Sequence, residues 1–241
     1  MTECPYCGAR VRKRAPKLER RDGGLEAKKT RRQLRQERRR DRKSKRRERL
    51  DSAPWTRSPV PPATGLLILA PALALLVRIL SGGDVDAFGA IVVPADPEWW
   101  RFLTAPFAYG DIGYLFAVGL ALTIFAPGIE RRIGSPATLA LLIACGSLGA
   151  LVGWTVADQT TSFAVIAGGN GMALGAVGAW WMLAKREAAE LDEELDSIGV
   201  LVCIAVILLL PLVLPSASFW AAPAGGALGL LGGLLASRVK R

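Results

Sequence analysis

The chain has 241 residues, 51% of them hydrophobic, with four cysteines and no histidine. Its formal charge of +10 is unevenly placed: residues 1–57 carry 22 Lys and Arg against 8 Asp and Glu, and the remainder carry 9 against 13. This excludes a uniformly basic nucleic-acid-binding protein, a small disulfide-stapled secreted domain, and any chemistry that needs an imidazole.

Residues 1–8 hold the first motif, Cys4-Pro5-Tyr6-Cys7-Gly8. Two thiolates at CxxC spacing can chelate one Zn²⁺, but a structural zinc site takes four ligands. With no histidine, and with Cys145 and Cys203 inside apolar runs, a complete site would draw Cys4 and Cys7 from each of two chains, a homo-oligomer. A half-ribbon without metal is an equal alternative. A thioredoxin-type role ranks lower, because no βαβ pattern follows the motif. Residues 9–62 are a basic arm, densest at 28–49, ending in a linker with Pro54, Pro59, Pro61 and Pro62. Leu25, Leu34 and Leu50 are too sparse for an apolar stripe, so the arm reads as a solvated helix or as unordered chain. Its first role is a topology signal in contact with anionic membrane lipids. Nucleic acid ranks last, because the arm has almost no aromatics to stack on bases. No apolar h-region precedes residue 62, so the first hydrophobic segment reads as an uncleaved anchor.

Six apolar segments follow, at about 63–80, 111–128, 136–157, 164–184, 197–214 and 218–237, each roughly long enough to cross a bilayer core of about 30 Å. Together they form a membrane domain, 63–237, with a basic tail at 238–241. Even numbering puts Arg131, Arg132, Lys185, Arg186, Arg238, Lys240 and Arg241 on the same side as the arm, and Arg78 and Arg101 on the other. The positive-inside rule then predicts cytoplasmic N- and C-termini in a plasma or inner membrane. The 81–110 loop carries Trp99, Trp100 and Phe107, which suits the outer headgroup interface. Small residues recur at four-residue spacing in Gly149/Gly153, Gly171/Gly175/Ala179 and Gly225/Gly229/Gly233, which lets helix backbones approach closely. Packing accounts for this spacing first, and a groove for a client helix second.

Four motifs occur in order: Trp100-Arg101-Phe102-Leu103-Thr104 with Phe107; Gly128-Ile129-Glu130-Arg131-Arg132-Ile133-Gly134; Gly168-Gly169-Asn170-Gly171; and Gly225-Gly226 with Gly229. In this order the chain resembles the rhomboid family of intramembrane serine proteases over about residues 63–237. The resemblance implies an all-α, six-helix membrane bundle. It also implies a Ser–His dyad, with the serine of G-x-S-G opening the fourth helix and the histidine preceding Gly-Gly on the sixth. Those positions hold Asn170 and, at about two residues before Gly225, Pro223. The oxyanion-stabilising pair on the second helix corresponds to Tyr114 and Val118, and a first-loop histidine to Tyr109. A hydroxyl nucleophile needs a base, and Ser162, Ser216 and Ser218 have none beside them. Lys185 and Lys240 are expected on the opposite face, about 30 Å away.

The chain therefore reads as a non-proteolytic rhomboid that binds transmembrane-helix clients or other membrane partners. Two alternatives stay open: an active intramembrane endopeptidase with a non-standard site, and a membrane anchor displaying a zinc-binding, lipid-binding arm. Asn170 is expected to hydrogen-bond Tyr114.

Overall fold

The computed structural model describes residues 18–21, 24–27, 41, 44, 61–94, 96–160, 163–191 and 197–239. The Cys4/Cys7 motif, most of the arm, Ser162, Lys240 and Arg241 lie outside the described residues. The chain divides into two compact units, Met1–Arg49 and Leu50–Arg241. In the first, β1 (Leu18–Arg21) pairs antiparallel with β2 (Gly24–Ala27), Leu18 opposite Ala27 and Arg21 opposite Gly24. The sequence reading, helix or no order, missed this pairing. The available signal in the sequence was the Asp-Gly dipeptide at 22–23, a composition that favours two-residue hairpins.

Among its described residues the second unit contains six long helices at the positions of the six apolar segments. They are α1 (Pro62–Ser81), α2 (Ile112–Ile133), α3 (Ser135–Thr160), α4 (Asn170–Leu191), α5 (Ile198–Val213) and α6 (Ala221–Val239). Three of them, α1, α2 and α3, are long and apolar enough to cross a membrane, and α5 is apolar but shorter. In α4 the final turns carry Lys185-Arg186-Glu187, and α6 is diluted by glycine and Arg238. Helix α4 is buried throughout from Asn170 to Ala179 and packs along α6, so it faces protein more than lipid there and tolerates the lower hydropathy.

One boundary differs for a clear reason. The fourth segment was expected to be helical from about 164, but Ala164–Ile166 forms β4, antiparallel to β3 (Ile91–Val93), with Ile91 opposite Ile166. Both strands are short and mostly β-branched, and Gly168-Gly169 separates β4 from the helix.

Specific contacts order the helices. Glu130 near the end of α2 bonds the start of α1, while Arg78 near the end of α1 donates to the Gly110 carbonyl just before α2. Arg132 pairs with Glu187 at 2.8 Å, and Arg186 donates to the Ser237 carbonyl, joining the C-terminal turns of α2, α4 and α6. Helices α2, α4 and α6 therefore run parallel, with α1 and α3 antiparallel to them. The bundle has a Glu130 end and an Asn170 end. Its outer surface is strongly apolar, as at Leu69, Leu73, Leu80, Phe116, Leu209 and Leu212, all more than half exposed. A contiguous surface of this kind belongs in lipid.

Along the α4–α6 seam the small residues make backbone contact. A Cβ on Gly225 would collide with the Gly171 carbonyl, and one on Gly229 with the Gly175 carbonyl. On α3, a Cβ on Gly149 would lie 2.7 Å from the Ala221 carbonyl oxygen. The four-residue spacing thus serves close packing at these glycines.

Candidate functional site

The candidate site lies at the Asn170 end, where the first loop, the start of α2, the start of α4 and the start of α6 converge. Arg101 shapes the loop. Its guanidinium donates to the Ala90 carbonyl at 2.7 Å and to the Asp86 carboxylate at 2.6 Å, and stacks over Trp100 at 5.0 Å from the ring centre. The single helical turn Arg101–Thr104 leads into Ala105, whose carbonyl accepts from the Gly168 N–H at 2.8 Å. The Trp-Arg motif thereby holds the loop against the strand end that precedes α4.

Asp111 caps α2, its carboxylate accepting from the Gly113 N–H at 2.6 Å and the Tyr114 N–H at 3.3 Å. This fixes Tyr114 on the first turn, facing inward and fully buried. The Tyr114 ring fills the space where a Cβ on Gly168 would project. Gly168 has φ +89°, a conformation open to glycine at little cost. Tyr109 packs edge-on against Tyr114, centroids 5.2 Å apart. The Tyr109 hydroxyl oxygen accepts the Gly169 N–H at 3.0 Å. Burial pushes the Tyr109 phenol well above its usual range, with the Gly169 hydrogen bond pulling the other way, so it stays neutral. Val118, which the resemblance pairs with Tyr114, is buried beside Gly169. The buried Tyr114 hydroxyl makes no hydrogen bond of good geometry, although the Asn170 backbone N–H lies within its reach.

Asn170 is 1% exposed. Its Nδ2 donates to the Ser218 carbonyl at 2.8 Å, and its Oδ1 accepts from the Gly171 N–H at 3.0 Å. The expected partner, Tyr114, is replaced by a backbone carbonyl from the segment before α6. Sequence alone had no route to Ser218, because the contact spans 48 positions. Pro223 is turned outward. It lines an apolar cavity of about 530 Å³ with Leu174, Val177, Trp181, Val200 and Ile204. The residue buried on that turn is Ala222, 1% exposed and part of the core that includes Tyr109 and Tyr114. On this turn of α6, Ala222 faces the core and Pro223 does not.

The site accordingly assembles a neutral phenol, a second buried phenol, an aliphatic side chain and an amide committed to backbone groups. None of these takes a proton from a hydroxyl at neutral pH. Lys185 lies about 22 Å further along α4 than Asn170, at 1.5 Å rise per residue. It therefore stands at the opposite end from Ser216 and Ser218.

The other motif residues sit at the Glu130 end. The Glu130 carboxylate is buried and accepts four hydrogen bonds: Ala63 N–H at 2.9 Å, Thr64 N–H at 2.9 Å, Thr64 hydroxyl at 2.8 Å and Ser135 hydroxyl at 2.7 Å. It caps α1, whose own N-cap, Pro61, supplies no side chain for the task, and its charge complements the positive end of the α1 dipole. Gly134, at φ +90°, turns the chain directly into α3. Arg131 is exposed, and Arg132 makes the structural ion pair. Thr64 and Ser135 were missed from sequence; a hydroxyl at each helix start was the available signal. Gly171, Gly175, Gly225 and Gly229 lie on the α4–α6 seam. Among the described residues no group of carboxylates and cysteines could hold a metal.

The family model described as Rhomboid domain matches residues 96–239, more than half of the chain. A search of the curated proteins found no match.

Proposed function

The chain belongs to the rhomboid family, and we propose that it is a member that no longer cleaves peptide bonds and instead binds transmembrane helices or other membrane partners. The observation that carries this reading is the filling of the α4 N-terminus. Tyr109 occupies the Gly169 N–H, Tyr114 stands against Gly168, and Asn170 is tied to the Ser218 carbonyl. Asn170 stands at the family's nucleophile position, and the chain contains no histidine to act as base.

The same proposal includes six spans with both termini in the cytoplasm. Support comes from the charges at the two ends. Of the Lys and Arg residues, Arg131, Arg132, Lys185, Arg186 and Arg238 lie at the Glu130 end, and only Arg78 and Arg101 of the described ones lie at the Asn170 end. That distribution is the positive-inside pattern.

The test is labelling by a fluorophosphonate probe in membranes, with an established active rhomboid as positive control. The natural chain is expected to stay unlabelled. Labelling at any serine would overturn the proposal and identify the nucleophile. The Asn170→Ser, Ala222→His double variant, combined with Tyr109→His and Tyr114→His, restores the dyad positions and opens the site. A zinc shared through Cys4 and Cys7 of two chains extends the proposal, and one zinc per two purified chains, lost in Cys4→Ser, is the result expected of it.

A further inference from the structure

At the Glu130 end, the last turns of α4 and α6 enclose a recess of about 580 Å³ lined by Met182, Lys185, Arg186, Leu234, Ser237 and Arg238. Three cations from two helices converge there. Arg186 is positioned by its hydrogen bond to the Ser237 carbonyl, and Lys185 and Arg238 are exposed. The acid on the neighbouring position, Glu187, is engaged by Arg132 at 2.8 Å.

The recess is not polar throughout. Met182 and Leu234 form its apolar wall. On α6 the exposed residues Leu231 and Leu235, 57% and 62% exposed, lead along one helix face toward Arg238. An apolar stripe that ends in a cationic pocket matches a phospholipid, chain below and phosphate above. Basic pockets between transmembrane helices at a headgroup level recognise anionic lipids. A free phosphate would gain nothing from the leucine stripe.

We propose that this recess binds the phosphate headgroup of an anionic phospholipid in the leaflet at the Glu130 end, with an acyl chain along Leu231 and Leu235. The lining residues of this site all belong to the helix bundle. It rests on the membrane placement of the bundle and does not depend on whether the chain is catalytic.

The experiment is native mass spectrometry of the full chain released from micelles with equal phosphatidylglycerol and phosphatidylcholine. The natural chain is expected to retain one phosphatidylglycerol in preference. In K185Q/R238Q, retention should fall about 30-fold, the combined worth of two surface cations. Leu234→Trp keeps every charge and fills the apolar wall, and it should also lower retention. Excess glycerol 3-phosphate should not displace the lipid. Unchanged retention in K185Q/R238Q would overturn the proposal by moving the lipid to the arm. Displacement by glycerol 3-phosphate would overturn it in favour of a plain phosphate site. If the natural chain shows no preference and neutralising Asp192, Glu193, Glu194 and Asp196 creates one, the recess belongs to the chain's own acidic stretch.

Discussion

At the Glu130 end of the bundle one buried carboxylate accepts four hydrogen bonds from two helix starts. At the Asn170 end two buried phenols stand against a glycine turn, one bonded to the Gly169 N–H and one with no well-formed hydrogen bond. The same helices run between both ends, so the contrast is local. The first end is a polar network in which each named donor meets an acceptor, which is what a scaffold contact requires. The second has its space filled by aromatic rings, with polar groups turned to backbone. A catalytic end would need the reverse: unfilled space, a base and donors aimed at a substrate. The two ends of one bundle thus differ in how their buried polar groups are satisfied.

The most severe way to break the contrast is Glu130→Ala. It strands two buried N–H groups and two hydroxyls, and should destabilise the bundle by about 4 kcal/mol or more. Thermal unfolding in micelles would register it, and Glu130→Gln should cost clearly less. Next comes Gly225→Ala on the α4–α6 seam. Its Cβ meets the Gly171 carbonyl, so the helices must part, at about 2–3 kcal/mol. A seam that tolerated alanine would mean the glycines are not in backbone contact. Tyr109→Phe should cost about 1–2 kcal/mol, because it leaves the buried Gly169 N–H without its acceptor. Tyr114→Phe sharpens the comparison with the opposite sign. It deletes a buried hydroxyl that has no well-formed hydrogen bond and should be neutral or stabilising by up to about 1 kcal/mol. Asn170→Ala is expected to cost about 0.6 kcal/mol, about the average for a side-chain hydrogen bond in a membrane bundle. A large loss there would point to a role beyond holding the Ser218 carbonyl.

Which helices exist, and that the chain belongs in a membrane, were legible because length and apolarity are properties of contiguous sequence. The Trp100-Arg101 and Glu130 motifs were legible for the same reason. The charge asymmetry of the two ends could also be counted directly from the residues. The β3–β4 pair was hidden, since its strands are 70 residues apart and three residues long. The partner of Asn170 was hidden in the same way, the guess of Tyr114 giving way to the Ser218 carbonyl.

What the sequence determined by itself is the set of helices, the missing histidine and the amide at residue 170. Each of these is fixed by residue identity or local periodicity. Only tertiary structure decided which side chain fills which space. It placed Ala222 inside and Pro223 outside, seated Tyr114 against Gly168, and gathered Lys185, Arg186 and Arg238 around one recess. The physical reason is rotation. One residue turns a helix face by about 100°, and motif spacing read at one-residue uncertainty cannot say which face meets the core.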